Sequence, residues 1–181
     1  MTDRLTRAQR SYNMARIRGK DTTPERILRA GLHRAGIRFR LHCRGLPGRP
    51  DLVLSKHQAV VFVHGCFWHQ HEDCPHSYMP TTRSAFWSEK FARNQERDAR
   101  QILVLQKTGW RVLVVWECAL RKQAIAEQAT KQVIEWLYSP RRDGEISADG
   151  SMLRCNPSSI SASSHNRISA GSQHLRRTGT T

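Results

Sequence analysis

Acidic residues are scarce in this chain of 181: 15 Asp and Glu stand against 30 Lys and Arg. The formal net charge of +15 and a pI near 10.8 go far beyond what solubility needs, so a polyanionic partner is expected. Nucleic acid is the leading class, ahead of an acidic membrane surface. Long apolar runs are also missing. No stretch reaches the ~20 residues a membrane-spanning helix needs, and MTDRLTRAQR lacks the apolar segment of a secretory signal. A cytoplasmic protein with no membrane partner is the expectation. The 5 cysteines are an odd number, which excludes a fully paired disulfide framework. Two of them lie among histidines and read better as metal ligands in a reducing compartment, with a thiol left over. The length suits one domain with a real core and a tail.

The chain then divides by pattern. Residues 5–18, LTRAQRSYNMARIR, suit a short basic helix, with Met14 as a core contact in the plainest reading. From Thr22, DTTPERILRAGLHRAGI combines a capping hydroxyl, Pro24 in the first turn, Glu25 and apolar positions at Ile27, Leu28, Leu32 and Ile37, the clearest helix start in the chain. RFRLH, DLVLS and AVVFVHG look like three strands, the last apolar enough for the centre of a sheet. SAFWSEKFARNQERDARQILVLQKTGW predicts a long amphipathic helix, WRVLVVWE a buried strand, and QAIAEQATKQVIEWLY a final helix. The order implies an α/β fold, a mixed central sheet flanked by helices, over residues 1–140. Residues 141–181 are rich in Ser, Gly, Arg and Asn and poor in apolar side chains, so a disordered basic tail is expected there.

HGCFWHQHEDCPH, residues 64–76, is the densest chemistry in the chain. Cys66, His71 and Cys74 offer two thiolates and an imidazole from one tight loop, a donor set zinc favours in a tetrahedron. Cys118, just after the strand WRVLVVWE, is the candidate fourth ligand if that strand runs beside AVVFVHG. A site so closed would be structural. The alternative is that Cys118 is a buried apolar thiol and the loop binds nothing. Elsewhere, GLPGRPDLVL sets Pro50 and Asp51 at the mouth of a strand, which is also ordinary turn chemistry. Phe67 and Trp68 are consecutive loop aromatics, and Trp87 opens the long helix. Core packing is the usual lot of such rings, and a stacking surface for bases the more specific one.

Several blocks in order, RSYNMARIRGKDTTPE, LPGRPD, HGC with FWH, TRSAFWSEKFARNQERD and GWRVLVVWECALR, resemble the very-short-patch-repair (Vsr) endonucleases over about residues 7–121. The resemblance implies a restriction-endonuclease-like core with a structural Zn2+ site, and a Mg2+-dependent enzyme. Its substrate would be double-stranded DNA carrying a T:G mismatch from 5-methylcytosine deamination, nicked 5′ of the T. By position, Asp51 becomes the Mg2+ carboxylate and His69 the general base or water-orienting group. His64 and Glu25 become helpers at the metal and phosphate, and Asp98 orients an active-site histidine. The strand after Asp51 carries Phe62 and His64 where related nucleases of this fold place Glu and Lys, so backbone groups such as the Val63 carbonyl are expected to complete the Mg2+ shell. Phe67, Trp68 and Trp87 become wedges beside the mismatch, with Met14 of an N-terminal arm, 5–18, approaching from the other groove. The resemblance also implies a bacterial, nucleoid-associated monomer working with mismatch-repair factors. Two rivals remain: a non-catalytic zinc-containing DNA-binding protein with no use for Asp51, and a nuclease of the same fold with another sequence or lesion preference.

Overall fold

The computed structural model describes residues 19–150, 152 and 153, with 6, 8, 9 and 12. Met14 and most of the 5–18 segment lie outside the described residues, as does 154–181. Helix α1 (Thr23–Arg34) starts where its capping signals sit: the Glu25 N–H donates to the Thr22 hydroxyl, and the Glu25 carboxylate accepts from the Thr22 N–H. Strands β1 (Arg40–Leu41), β2 (Leu52–Leu54) and β3 (Ala59–His64) follow. Helix α2 (Ser84–Lys107), strand β4 (Arg111–Trp116) and helix α3 (Gln123–Tyr138) come next, then β5 (Asp143–Ile146) and β6 (Met152–Leu153).

The six strands pair in sequence order into one mixed sheet. β1, β2 and β3 are antiparallel neighbours, β3, β4 and β5 are parallel, and β6 returns antiparallel on the far edge. Alternation along the strands assigns the two faces. Ala59, Val61, Leu113, Val115 and Ile146 meet Leu28 and Leu32 of α1 and Val133 and Trp136 of α3. Val60, Phe62, Val112, Val114 and Trp116 face the other way, onto Ile102 and Leu105 of α2. The expected α/β arrangement is therefore present, with α1 and α3 on one face and α2 on the other. Helices α1 and α3 approach so closely that a Cβ on Gly31 would lie 2.8 Å from the Thr130 hydroxyl oxygen.

One boundary needs correction. The segment expected to be structureless from residue 141 begins with two strands, so the sheet extends past Pro140 to Leu153. Tertiary contacts draw it in. The Arg111 guanidinium donates to the carbonyls of Leu137, Trp136 and Ser139 at the end of α3 and to that of Arg141, and it lies 4.3 Å over the Trp136 ring. This anchors the chain beside β4, whose open edge then pairs with β5, Gly144 and Ile146 pointing inward.

Candidate active site and metal centre

Asp51 immediately precedes β2, and its Oδ2 accepts from the Val63 N–H of β3 at 2.7 Å. The turn that delivers it requires Gly48: φ is +74°, and a Cβ would meet Gln101 Oε1 at 2.8 Å and the Phe62 ring at 3.1 Å. Burial pushes the Asp51 carboxyl up to about 6, opposed by the Val63 hydrogen bond and reinforced by the nearby Glu25 charge. Glu25 is buried, and its oxygens are engaged by the Asp21 and Thr22 amides, the Thr22 hydroxyl and the Arg29 guanidinium. Its capping role and its place in the cleft coexist.

On the other wall, β3 ends at His64, and the following turn brings His69 back over it. The two imidazoles stack, centroids 3.9 Å apart and planes within 8°. His69 Nδ1 lies 2.5 Å from Asp98 Oδ2 on α2, and Asp98 also accepts from the Arg97 guanidinium at 3.0 Å. Burial works against an ionised Asp98, but the His69 hydrogen bond and the surrounding positive groups hold its carboxyl below the usual range. His64 is driven the other way: burial, reinforced by the neighbouring His69 imidazole, pushes it well below an ordinary histidine, so it is neutral at neutral pH.

Asp51, Glu25, His64, His69 and Asp98 thus line one cleft of about 930 Å3, along with Trp68. Lys20, Arg44, Arg49, Lys90 and Arg97 share its walls, a charge suited to phosphates. One cleft residue escaped sequence reasoning. His42, with φ +46°, puts Nδ1 4.0 Å from Asp51 Oδ1 and Nε2 3.1 Å from the Arg29 guanidinium. The same Nε2 lies 3.6 Å from Asp21 Oδ1 and 3.9 Å from Glu25 Oε2, so this imidazole sits among three carboxylates and one guanidinium. Its one sequence signal is a histidine in a basic strand near the GLPGRPD turn.

The loop aromatics form a cluster around Phe67. Its ring centroid is 5.1 Å from Trp68, 5.0 Å from Tyr78, 5.4 Å from Trp87 and 5.1 Å from Phe91. Phe91 is buried, whereas Phe67, Trp68 and Trp87 are half-buried and Tyr78 and Phe86 are exposed. Lys90 Nζ lies 5.3 Å over Trp68 and 5.8 Å over Trp87. Packed core and presented surface are thus combined in one cluster.

The parallel pairing of β3 with β4 sets His64 opposite Trp116, which brings Cys118 to the loop. One ligand atom from each of Cys66, His71, Cys74 and Cys118 lies within 4.8 Å of the others. His71 Nδ1 is 3.7 Å from Cys66 Sγ and 3.5 Å from Cys118 Sγ. A tetrahedral centre with bonds of ~2.3 Å to sulfur and ~2.1 Å to nitrogen has N···S edges of about 3.6 Å, so these four side chains fit a metal ion. The thiol contact with Cys66 pulls Cys118 down, making it the readier thiolate.

Comparison with known proteins shows the family. The family model described as DNA mismatch endonuclease Vsr matches residues 2–76. The DNA mismatch endonuclease Vsr of Escherichia coli (strain K12) is 43% identical over 152 residues, covering 83% of this chain and 97% of that protein. The type II nicking enzyme V.XorIIP of Xanthomonas oryzae pv. oryzae is 44% identical over 135 residues, 75% of this chain and 98% of its own length. V.NmeAIP, a type II nicking enzyme of Neisseria meningitidis serogroup A, is 41% identical over 134 residues, 74% and 95% of the two chains. With relatives matched over nearly their whole length and a basic cleft carrying carboxylates and imidazoles, this chain belongs to the Vsr family of DNA mismatch endonucleases.

Proposed function

We propose that this DNA endonuclease recognises a T:G mismatch and nicks the strand 5′ of the T in a Mg2+-dependent reaction, on a restriction-endonuclease-like core stabilised by zinc. The observation that carries the reading is the convergence of Asp51, His64, His69 and Asp98 with Trp68 on one basic cleft. Phosphodiester hydrolysis needs an activated water, relief of negative charge and a proton for the leaving oxygen. The Asp98 carboxylate holds His69 through Nδ1, which leaves Nε2 free to orient the attacking water or take its proton. His64, kept neutral by burial, supports the His69 ring by stacking and presents its own nitrogen to the cleft without adding charge. Asp51 and the Val63 carbonyl would hold Mg2+, with His64 as a helper beside it, and the ion would offset the charge building on the phosphate. Glu25 and His42 border the same carboxylate and set its field.

Cys66, His71, Cys74 and Cys118 would hold zinc, cross-linking a loop with little core of its own. That loop carries Phe67 and Trp68, and Trp87 packs beside them. Inserted next to a mismatch, these rings would exchange an unstacking cost of a few kcal/mol for base contacts of ~1–3 kcal/mol each. Unstacking is cheapest at a mispair, which is the physical source of preference. The cations around the cleft contact phosphates and carry no sequence information themselves.

Asp51→Ala tests the reading with two readouts. Nicking of a T:G duplex in Mg2+ is abolished, while binding to the same duplex stays close to wild type. A wild-type protein that binds the duplex yet never nicks it under any divalent metal would sink the proposal. A panel of mispairs in different flanking sequences then reports the specificity.

A further inference from the structure

We infer that Trp116, braced by Glu145, is a positioning residue that couples the Cys/His metal centre to the catalytic imidazoles. This rests on the roles proposed above for that centre and for His69. Trp116 ends β4 in register with His64 and is only 7% exposed. One ring contact is with His71, parallel within 9° and 4.1 Å between centroids. Another is with His64, edge-on at 5.5 Å, and His64 in turn stacks on His69. Four rings therefore run from a metal-ligand side chain to the imidazole held by Asp98.

Rings in direct contact along a stack transmit displacement from one to the next. A rotation of the indole would move His71 on one side and the His64–His69 pair on the other. The indole N–H is the ring's only polar atom, and it donates to Glu145 Oε2 on β5 at 3.0 Å. That bond fixes the ring's orientation, which packing alone would leave softer. A buried indole N–H needs an acceptor in any case, as Trp136 finds in the Asp143 carbonyl; what sets Trp116 apart is its ring contact with both His71 and His64. Trp116 and Glu145 also share a second cavity of about 870 Å3 with His71, Cys118, His64 and His69, so the brace spans both centres from one side. Strand β5 thereby enters the working machinery.

The test uses the full chain with Co2+ as the metal probe, in four variants: Glu145→Ala, Glu145→Gln, Trp116→Phe, and the double Trp116→Phe/Glu145→Ala. Readouts are the Co2+ absorption spectrum, metal affinity by chelator competition, and kcat and KM for nicking a T:G duplex. Losing the brace is expected to lower kcat and metal affinity about tenfold each, with KM unchanged, on the scale of supporting residues around metal ligands. The Co2+ bands shift with it. Glu145→Gln restores most of the loss because its amide oxygen still accepts, and the double variant is no worse than either single. Wild-type spectrum and kcat in Glu145→Ala, or single effects that multiply in the double variant, overturn the inference. A wild-type protein that takes up no Co2+ overturns the metal-centre reading and this inference together. Uptake and nicking by wild type with an unaltered Glu145→Ala overturn the inference alone.

Discussion

Replacing Asp51 with asparagine should stabilise the protein while destroying its activity. Asp51 keeps its place by burial against its own ionisation, with a carboxyl raised to about 6 from the ordinary 3.8. A group whose folded-state value is raised adds stability that is complete below its unfolded value and is lost as pH rises through the folded value. Ionised Asp51 therefore costs the folded state nothing below about pH 3.8 and its full amount above about pH 6. At 1.36 kcal/mol per pH unit, the full cost is about 3 kcal/mol. The side chain is 18% exposed, so solvent screening removes only part of it. Asparagine keeps an oxygen for the Val63 N–H and carries no charge. Without added Mg2+, Asp51→Asn should raise Tm at pH 8 by up to ~6–12 °C, given ~2–4 °C per kcal/mol for a chain of this size. At pH 5 the gain in free energy should fall to about half. Added Mg2+ should narrow the gap by stabilising wild type alone. Thermal unfolding at both pH values, with and without Mg2+, measures all three. An unchanged or lowered Tm at pH 8, or a gain that is larger at pH 5, would refute the reasoning that this carboxylate is held at a cost.

Three other outcomes are expected. His69→Ala should slow single-turnover nicking by ~10²–10⁴-fold with duplex affinity retained, the range for loss of a general acid or base; a rate within a factor of two of wild type would remove His69 from the chemistry. Cys118→Ser should weaken Co2+ binding by at least about tenfold and lower Tm in the metal-loaded protein, measured by chelator competition and calorimetry; unchanged affinity would leave Cys118 as a plain buried thiol. Gly31→Ala should destabilise by ~1–3 kcal/mol despite alanine's better helix propensity, because its Cβ would enter the space of Thr130. Denaturant unfolding reads the sign, and a stabilised Gly31→Ala would mean that α1 and α3 do not pack as described.

Segments with long, regular apolar patterns were legible from the chain alone. Helices α2 and α3 and strands β3 and β4 follow their periodicity almost to the residue, and Thr22, Pro24 and Glu25 announce α1. Strand β5 was not legible, because Asp-Gly-Glu-Ile combines residues that strands disfavour and pairs only because β4 offers an open edge beside the Arg111 anchor. His42 was missed for a similar reason: its left-handed backbone and its place between Arg29 and Asp51 belong to a turn, with no period to reveal them.

The sequence by itself determined the charge that demands a polyanion, the α/β order and the local ligand loop from Cys66 to Cys74, since each depends on composition or on neighbours along the chain. Only the tertiary structure decided which distant groups meet. Asp98 reaches His69 across 29 positions and Cys118 reaches His71 across 47, because β3 and β4 run parallel in a fixed register with α2 packed over them. Parallel pairing brings the C-terminal ends of two strands together, and that is where both the imidazole pair and the metal ligands are assembled.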